Sequence, residues 1–396
     1  MSFFDDVELL PADPILGLPI LFKQDSRAEK VNLGIGAYRT EAGLPSVFNS
    51  VKKAEALILN KYDKEYLPID GLKNLVDATI ECIFGHDLIK IGYEKIYAAQ
   101  TIGGTGALRV GAEFLYRLNN RNIFLPQPSW PNHKPIFEKA NLKVGSYPYF
   151  DATTNLLDFA GMCQAIENLP PHSCILLHAC CHNPTGVDPT IEQWQELSRL
   201  IKKREVFPFF DCAYQGFATS FEADAQPMRI FALDGHEMFV AYSYAKNFGL
   251  YGERVGVLTV VANDKKSVLK IGSQIRSLIR GNYSSPPLHG ALIVSAILKS
   301  HPLTADWLGE LDNMRDRINE MRKALVAALL VQGSDKNFNA ILKQMGLFSF
   351  VGLNKEQVDK LRENYAIYLP SNGRINLAGL NTTNIDYVSN ALLAVL

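Results

Sequence analysis

The chain has 396 residues, 47% of them hydrophobic and 20% charged, which describes a folded globular protein with room for roughly two or three domains. Its 40 basic and 41 acidic residues leave a net charge of −1, so nothing suggests a nucleic-acid or membrane-surface partner. The acidic start Met1-Ser2-Phe3-Phe4-Asp5-Asp6 does not read as a signal or transit peptide, apolar runs such as 324–331 are too short to span a bilayer, and six scattered cysteines make no disulfide framework; a cytoplasmic location is expected.

Residues 1–14 hold two prolines and few helix signals, which predicts an extended arm. Strand-like apolar runs follow at Lys95–Ala99, Asn122–Leu125, Lys143–Tyr147, Cys174–His178, Phe207–Phe210, Met238–Tyr242 and Val255–Val261. Helical patterns lie between them, including Gly106–Leu118, Ile191–Arg204 and Ser267–Arg280. This alternation predicts an α/β fold on a mostly parallel sheet. Beyond about residue 300 the pattern changes to a long helical stretch, Trp307 to Leu330, then strands near 346–350 and 373–377 around a helix at Lys355–Glu363. That is the layout of a smaller α+β domain.

Several short segments carry chemistry. Gly103-Gly104-Thr105-Gly106-Ala107-Leu108-Arg109 opens a helix after a strand, where backbone N–H groups can meet an anion. Arg109 occupies the place of the third glycine of a dinucleotide fingerprint, and no acid follows the next strand, so a phosphate cradle is favoured over a Rossmann site. A ligand-free glycine turn fits the same residues. In Ser129-Trp130-Pro131-Asn132-His133, the tryptophan could stack on a flat ring or pack under a loop. His178-Ala179-Cys180-Cys181-His182 lacks a second, separated ligand pair, and no metal is expected. Asn183-Pro184-Thr185-Gly186 places an asparagine at a strand end, as a ligand contact or an ordinary turn.

Asp211 ends an apolar strand, the region where α/β ligand sites form, and could hold a protonated pyridine nitrogen. A helix N-cap is the alternative use of such an aspartate. Tyr214, three residues on, could reach the same ring. Lys246 lies three residues after Ser243 and eight before Arg254, just past an apolar strand. Desolvation there disfavours its charge, and a neutral amine can hold an aldehyde cofactor as a Schiff base. With Ser243 and Arg254 available for a phosphate, the segment suggests a lysine carrying pyridoxal phosphate. Arg280 and Arg374, each beside glycine and asparagine, could clamp carboxylates or stand in solvent.

Taken together, these segments resemble the aspartate aminotransferases of the fold-type I pyridoxal-phosphate enzymes. The similarity runs from Asp13-Pro14-Ile15-Leu16-Gly17, through residues 31–38, 104–109, 180–186, 213–217 and 243–256, to Asn282-Tyr283-Ser284-Ser285-Pro286-Pro287 and on to the C-terminus. It implies a three-layer large domain on a mostly parallel seven-stranded sheet at 46–313, a smaller α+β domain from 15–45 and 314–396, and an arm at 1–14. The resemblance assigns Lys246 the Schiff base and the proton shuttle, Asp211 the pyridinium nitrogen, and Asn183 and Tyr214 the ring hydroxyl. Trp130 would stack on the ring, with His133 and His178 behind it, and Gly104, Thr105, Ser243 and Arg254 would bind phosphate. Arg374 would take the substrate α-carboxylate, while Gly36 and Phe348 would line the substrate pocket. Tyr66 and Arg280 would act across a homodimer interface, on the phosphate and on the side-chain carboxylate.

The implied reaction is ping-pong transamination of L-aspartate with 2-oxoglutarate, giving oxaloacetate and L-glutamate. Ala245 is a departure, since many members carry serine there. Ser285 is seen in a subgroup that prefers aromatic amino acids, whereas Thr105 and Arg39 look like the dicarboxylate enzymes. An aromatic-amino-acid aminotransferase is therefore the alternative.

Overall fold

A computed structural model describes residues 2–10, 17–331 and 338–396; part of the expected arm, and the first residues of the expected small domain, lie outside them. Its centre is a seven-stranded sheet. The strands are β1 (Ile96–Ile102), β2 (Asn122–Gln127), β3 (Lys143–Pro148), β4 (Cys174–His178), β5 (Phe207–Cys212), β6 (Met238–Ser243) and β7 (Val255–Val261). Their spatial order is β1-β7-β6-β5-β4-β2-β3. Only β7 runs antiparallel to its neighbours, β1 and β6; the remaining pairings are parallel.

These strands read as near-continuous apolar runs because both faces of the sheet are covered. Along β5 and β6, Phe209, Phe239 and Ala241 belong to one core cluster, while Phe210, Val240 and Tyr242 belong to the other. The alternation is the period-2 pleat of a strand buried twice. On the first face lies the helix Gly103–Arg117, which starts directly at the end of β1. A side chain at Gly111 would meet Phe209 Cζ at 2.6 Å, so glycine lets the helix settle on the sheet.

The long helix His301–Val331 begins six residues before the expected start at Trp307. Trp307 explains its anchoring: the ring is buried, stacks on Phe248 at 4.3 Å, and donates Nε1–H to the carbonyl of Asn247 at 2.7 Å. Small two-stranded sheets join distant segments. Val31–Asn32 pairs in parallel with Ile367–Tyr368, and Phe348–Phe350 pairs antiparallel with Arg374–Asn376. Among the described residues, no helix is long and apolar enough to cross a membrane.

The tightest backbone approach is between β7 and the start of the helix after β1. A Cβ on Gly256 would lie 2.4 Å from the carbonyl carbon of Gly103, which is backbone and has no rotamer to move. Gly256→Ala is expected to destabilise the fold by about 1–3 kcal/mol. Gly309→Ala, in the long helix with nothing within 4 Å of the new methyl, should stabilise by up to about 1 kcal/mol. Thermal unfolding of the two variants checks both signs.

Candidate active site

The parallel strands β1, β4, β5 and β6 all end on one edge of the sheet, where open α/β sheets gather their ligands. Strand β7 returns into that edge, so the connection 244–254 begins and ends beside it. A cavity of about 210 Å³ opens there, with Gly36, Gly104, Thr105, Trp130, Asn183, Asp211, Tyr214, Ser243, Lys246, Arg254 and Arg374 on its walls. A wider cleft, about 780 Å³, opens at the opposite ends of the strands. Its charged groups Lys202, Glu205 and Glu237 are exposed, so it lacks the buried ionic set that marks a reactive site.

Asp211 lies inside β5 and caps no helix; its Oδ2 accepts from His133 Nε2 at 2.9 Å. Because the carboxylate only accepts, Nε2 carries the hydrogen and Nδ1 is free to accept from Ser129 Oγ, 2.8 Å away. Burial alone would raise the Asp211 pKa, but the His133 hydrogen bond, with the Lys246 amine nearby, holds it below the usual carboxylate range. His178 itself is pushed down to about 3, chiefly by burial, and stays neutral. Its Nε2 is buried without a partner, as is Nε2 of His182, which lies ring to ring with it at 4.3 Å.

Lys246 sits over the ring of Tyr214, with Nζ 4.7 Å from the centroid. Burial lowers its pKa to about 8; Arg254 and Arg374 push the same way, and Asp211 opposes them. The Tyr214 phenol is shifted well upward by burial and stays protonated. Arg374 is 2% exposed. Its Nη1 donates to Asn183 Oδ1 at 3.0 Å and its Nη2 to the Gly34 carbonyl at 2.6 Å, while Nε has no partner. The guanidinium also lies 4.0 Å from the ring centre of Phe348. Gly36 passes close to that ring: a Cβ there would meet Phe348 Cζ at 3.1 Å. Since Asn183 accepts from Arg374 through Oδ1, its amide N–H groups are left to donate into the cavity.

The glycines form a cradle for an anion. At Gly103 the backbone has φ +65°, and a Cβ would strike Arg254 Nη2 at 2.5 Å; at Gly104 it would meet Ser243 Cβ at 3.0 Å. The early N–H groups of the helix Gly103–Arg117, the Arg254 fork and the Ser243 hydroxyl thus converge on one spot.

Two of the expected site residues stand apart. Tyr66 is 85% exposed, and Arg280 is an exposed residue bonded to Ser284 Oγ. Neither lines the cavity, and nor does Phe348, expected in the substrate pocket, whose ring lies against Gly36 and the Arg374 guanidinium instead. Conversely, Leu108, Ala213 and Tyr251 line it and had been given no role. Leu108 was traceable, since it follows Gly104 by four residues and shares its helix face. Tyr251 offered no signal beyond its place between Lys246 and Arg254. Cys180, Cys181 and Asp224 bring their ligating atoms within 4.8 Å of one another. Asp224, however, already accepts four backbone N–H groups, from Gly216, Ala218, Thr219 and Ser220, and so is committed to folding that loop.

The Lys246 amine is expected to become reactive as pH rises through about 8. Trapping it with a small aldehyde and borohydride, then mapping the labelled peptide across pH, measures this. A surface lysine would show its midpoint near 10.4.

The family profile described as aminotransferase class I and II matches residues 28–392. The chain is 47% identical to "Aspartate aminotransferase" of Escherichia coli (strain K12), over 99% of this chain and 100% of that one. It is also 47% identical to "Aspartate aminotransferase 1" of Medicago sativa, over 100% and 95% of the two chains. A crystal structure of an aromatic-amino-acid aminotransferase from Burkholderia pseudomallei, covalently bound to pyridoxal phosphate, superposes with a TM-score of 0.96 at 46% identity, covering 100% of both chains. With its sheet, its buried lysine and these full-length relatives, the chain belongs to the class I and II aminotransferases.

Proposed function

We propose that this aminotransferase uses pyridoxal phosphate to move the amino group of L-aspartate to 2-oxoglutarate, giving oxaloacetate and L-glutamate. The observation that carries the reading is that Lys246, Asp211 and Arg374 share one cavity, in a chain 47% identical over its length to aspartate aminotransferases. The residues suit the cofactor. Asp211, kept charged by His133, matches a protonated ring nitrogen; Asn183 and the Tyr214 phenol have hydrogens to donate to a ring oxygen; Trp130 offers a flat face; the Gly104, Thr105, Ser243 and Arg254 cradle takes the phosphate.

When bound, the cofactor supplies the electron sink that makes the substrate Cα–H acidic. Lys246 holds the cofactor and, once released, moves the proton at the substrate Cα through its Nζ. Its lowered pKa keeps a useful neutral fraction near neutrality. Arg374 binds the α-carboxylate, for which its unpartnered Nε is available. Its bond to Asn183 links the grip on the substrate to the group that faces the ring.

Tyr66 and Arg280 enter our reading through a second copy of the chain, as a homodimer with shared active sites. Exposed Leu57, Leu59 and Tyr62 beside Tyr66 support a covered face there, and exposed Phe3, Phe4 and Leu9 suit an arm that packs on a partner. Arg280 of one copy would then bind the substrate's side-chain carboxylate in the other. We divide the subunit into a large domain at 46–313, a small domain of 15–45 with 314–396, and the arm at 1–14. The pairing of Val31–Asn32 with Ile367–Tyr368 supports joining the two small-domain segments. Six free cysteines suit a reducing cytoplasm.

An aromatic-amino-acid aminotransferase is the second reading, favoured by the Burkholderia pseudomallei structure of that name. The purified protein should be yellow, bleach with L-aspartate and recover with 2-oxoglutarate. Bleaching by phenylalanine or tyrosine but not aspartate moves the substrate to the aromatic class. Arg280→Leu should lower kcat/KM for aspartate by about 100-fold and leave phenylalanine within a few-fold, since only the dicarboxylate loses a charged pair. Equal losses would remove Arg280 from the site. Lys246→Ala should abolish turnover in a protein that keeps its far-UV spectrum.

A further inference from the structure

The segment 34–38 forms the roof of the cavity on the substrate side. It supplies Gly36 to the wall and the Gly34 carbonyl to Arg374. Most of its ties come from the C-terminal part of the chain or the long helix. Asn376 Nδ2 donates to the carbonyls of Ile35 and Ala37, at 2.5 and 2.8 Å. Arg317, on the long helix, donates to the carbonyl of Arg39 at 3.1 Å and lies over the Tyr38 ring at 5.6 Å.

One tie has a different origin. The backbone N–H of Tyr38 donates to the Tyr251 hydroxyl at 2.9 Å, and Tyr251 lies on the connection that carries Lys246 and Arg254. The same residue reaches the phosphate cradle, because its carbonyl accepts from Arg254 Nη1 at 3.2 Å. Its ring lines the cavity between these two points. Burial raises the phenol to about 12, so the hydroxyl keeps its hydrogen. Among the described residues none accepts that hydrogen, so the hydroxyl's one tie there is the N–H of Tyr38.

From this geometry, and resting on the transaminase reading above, we infer that Tyr251 is a positioning residue that fastens the substrate-side roof to the cofactor-side loop. Its hydroxyl holds Tyr38, and through the 34–38 segment it fixes the Gly34 carbonyl that orients Arg374. Filling of the phosphate cradle is thereby coupled to the geometry of α-carboxylate binding. The cofactor's own affinity does not depend on the hydroxyl, since Arg254 contacts only the Tyr251 main chain.

Tyr251→Phe keeps the ring and removes the acceptor. In the holoenzyme, KM for aspartate and for 2-oxoglutarate should rise about 3- to 10-fold, the range of one lost hydrogen bond. The change in kcat should be smaller, while the cofactor absorbance and its rate of loss on dialysis stay as in the wild type. An unchanged KM overturns the proposal. So does a rise in KM that comes with faster cofactor loss and a lower melting temperature, which marks a general packing role. A cycle with Arg374→Lys gives an independent check: coupled losses support action through Arg374, and additive losses contradict it. The wild-type response to aspartate separately tests the transaminase reading. Wild type that bleaches with aspartate, beside a Tyr251→Phe variant of unchanged KM, sinks this inference alone.

Discussion

The structure around the cavity depends on a carboxylate that stays charged where burial favours the neutral acid. Asp211 is 8% exposed, and a lone buried carboxyl would gain a proton. The His133 Nε2–H bond prevents this, with Ser129 fixing the ring from its other nitrogen. That single negative charge then faces Lys246, Arg254 and Arg374, three cations drawn into one small volume. Arg374 and Lys246 respond to the same burial by losing proton affinity, to about 10 and about 8. Arg374 nevertheless remains charged near neutrality, whereas Lys246 is brought close to its titration point. The contrast divides their labour between gripping an anion and moving a proton.

Topology explains why these groups meet. The edge formed by the ends of β1, β4, β5 and β6 gathers Gly104 and Thr105 after β1, Asn183 after β4, Asp211 and Tyr214 at and after β5, and Ser243, Lys246 and Arg254 at and after β6. Reversal of β7 makes the 244–254 connection short, which lets one turn supply both the lysine and the phosphate arginine. Close backbone approach completes the arrangement: Gly256 and Gly103 touch where any side chain would part them. From the other side, Phe348–Phe350 and Arg374–Asn376 pair and bring Arg374 over the Phe348 ring.

Much of this was legible in the residues. The apolar runs located all seven strands of the main sheet, because strands buried on both faces leave a continuous signal. Their ends were less clear: β1 runs to Ile102 and the next helix starts at Gly103, since a glycine-rich helix start carries little apolar periodicity. Asp211 could be read as a helix cap until the fold showed its carboxylate bound to His133 inside a strand. Of the fourteen residues expected to touch cofactor or substrate, eleven line the cavity, Tyr66, Arg280 and Phe348 being the exceptions. Tyr251 escaped notice because its part is played by geometry: a hydroxyl accepting one N–H across 213 residues of chain leaves no local pattern.

The central claim is that the Asp211 charge sets the state of the Lys246 amine. Its most direct test is the pH midpoint of Lys246 labelling in cofactor-free Asp211→Asn, compared with cofactor-free wild type. Removing the negative charge that holds the lysine's pKa up against burial and the two arginines should move the midpoint downward from about 8. A midpoint that stays in place or moves up would contradict the account, and would leave burial and the two arginines as the whole of the control over Lys246.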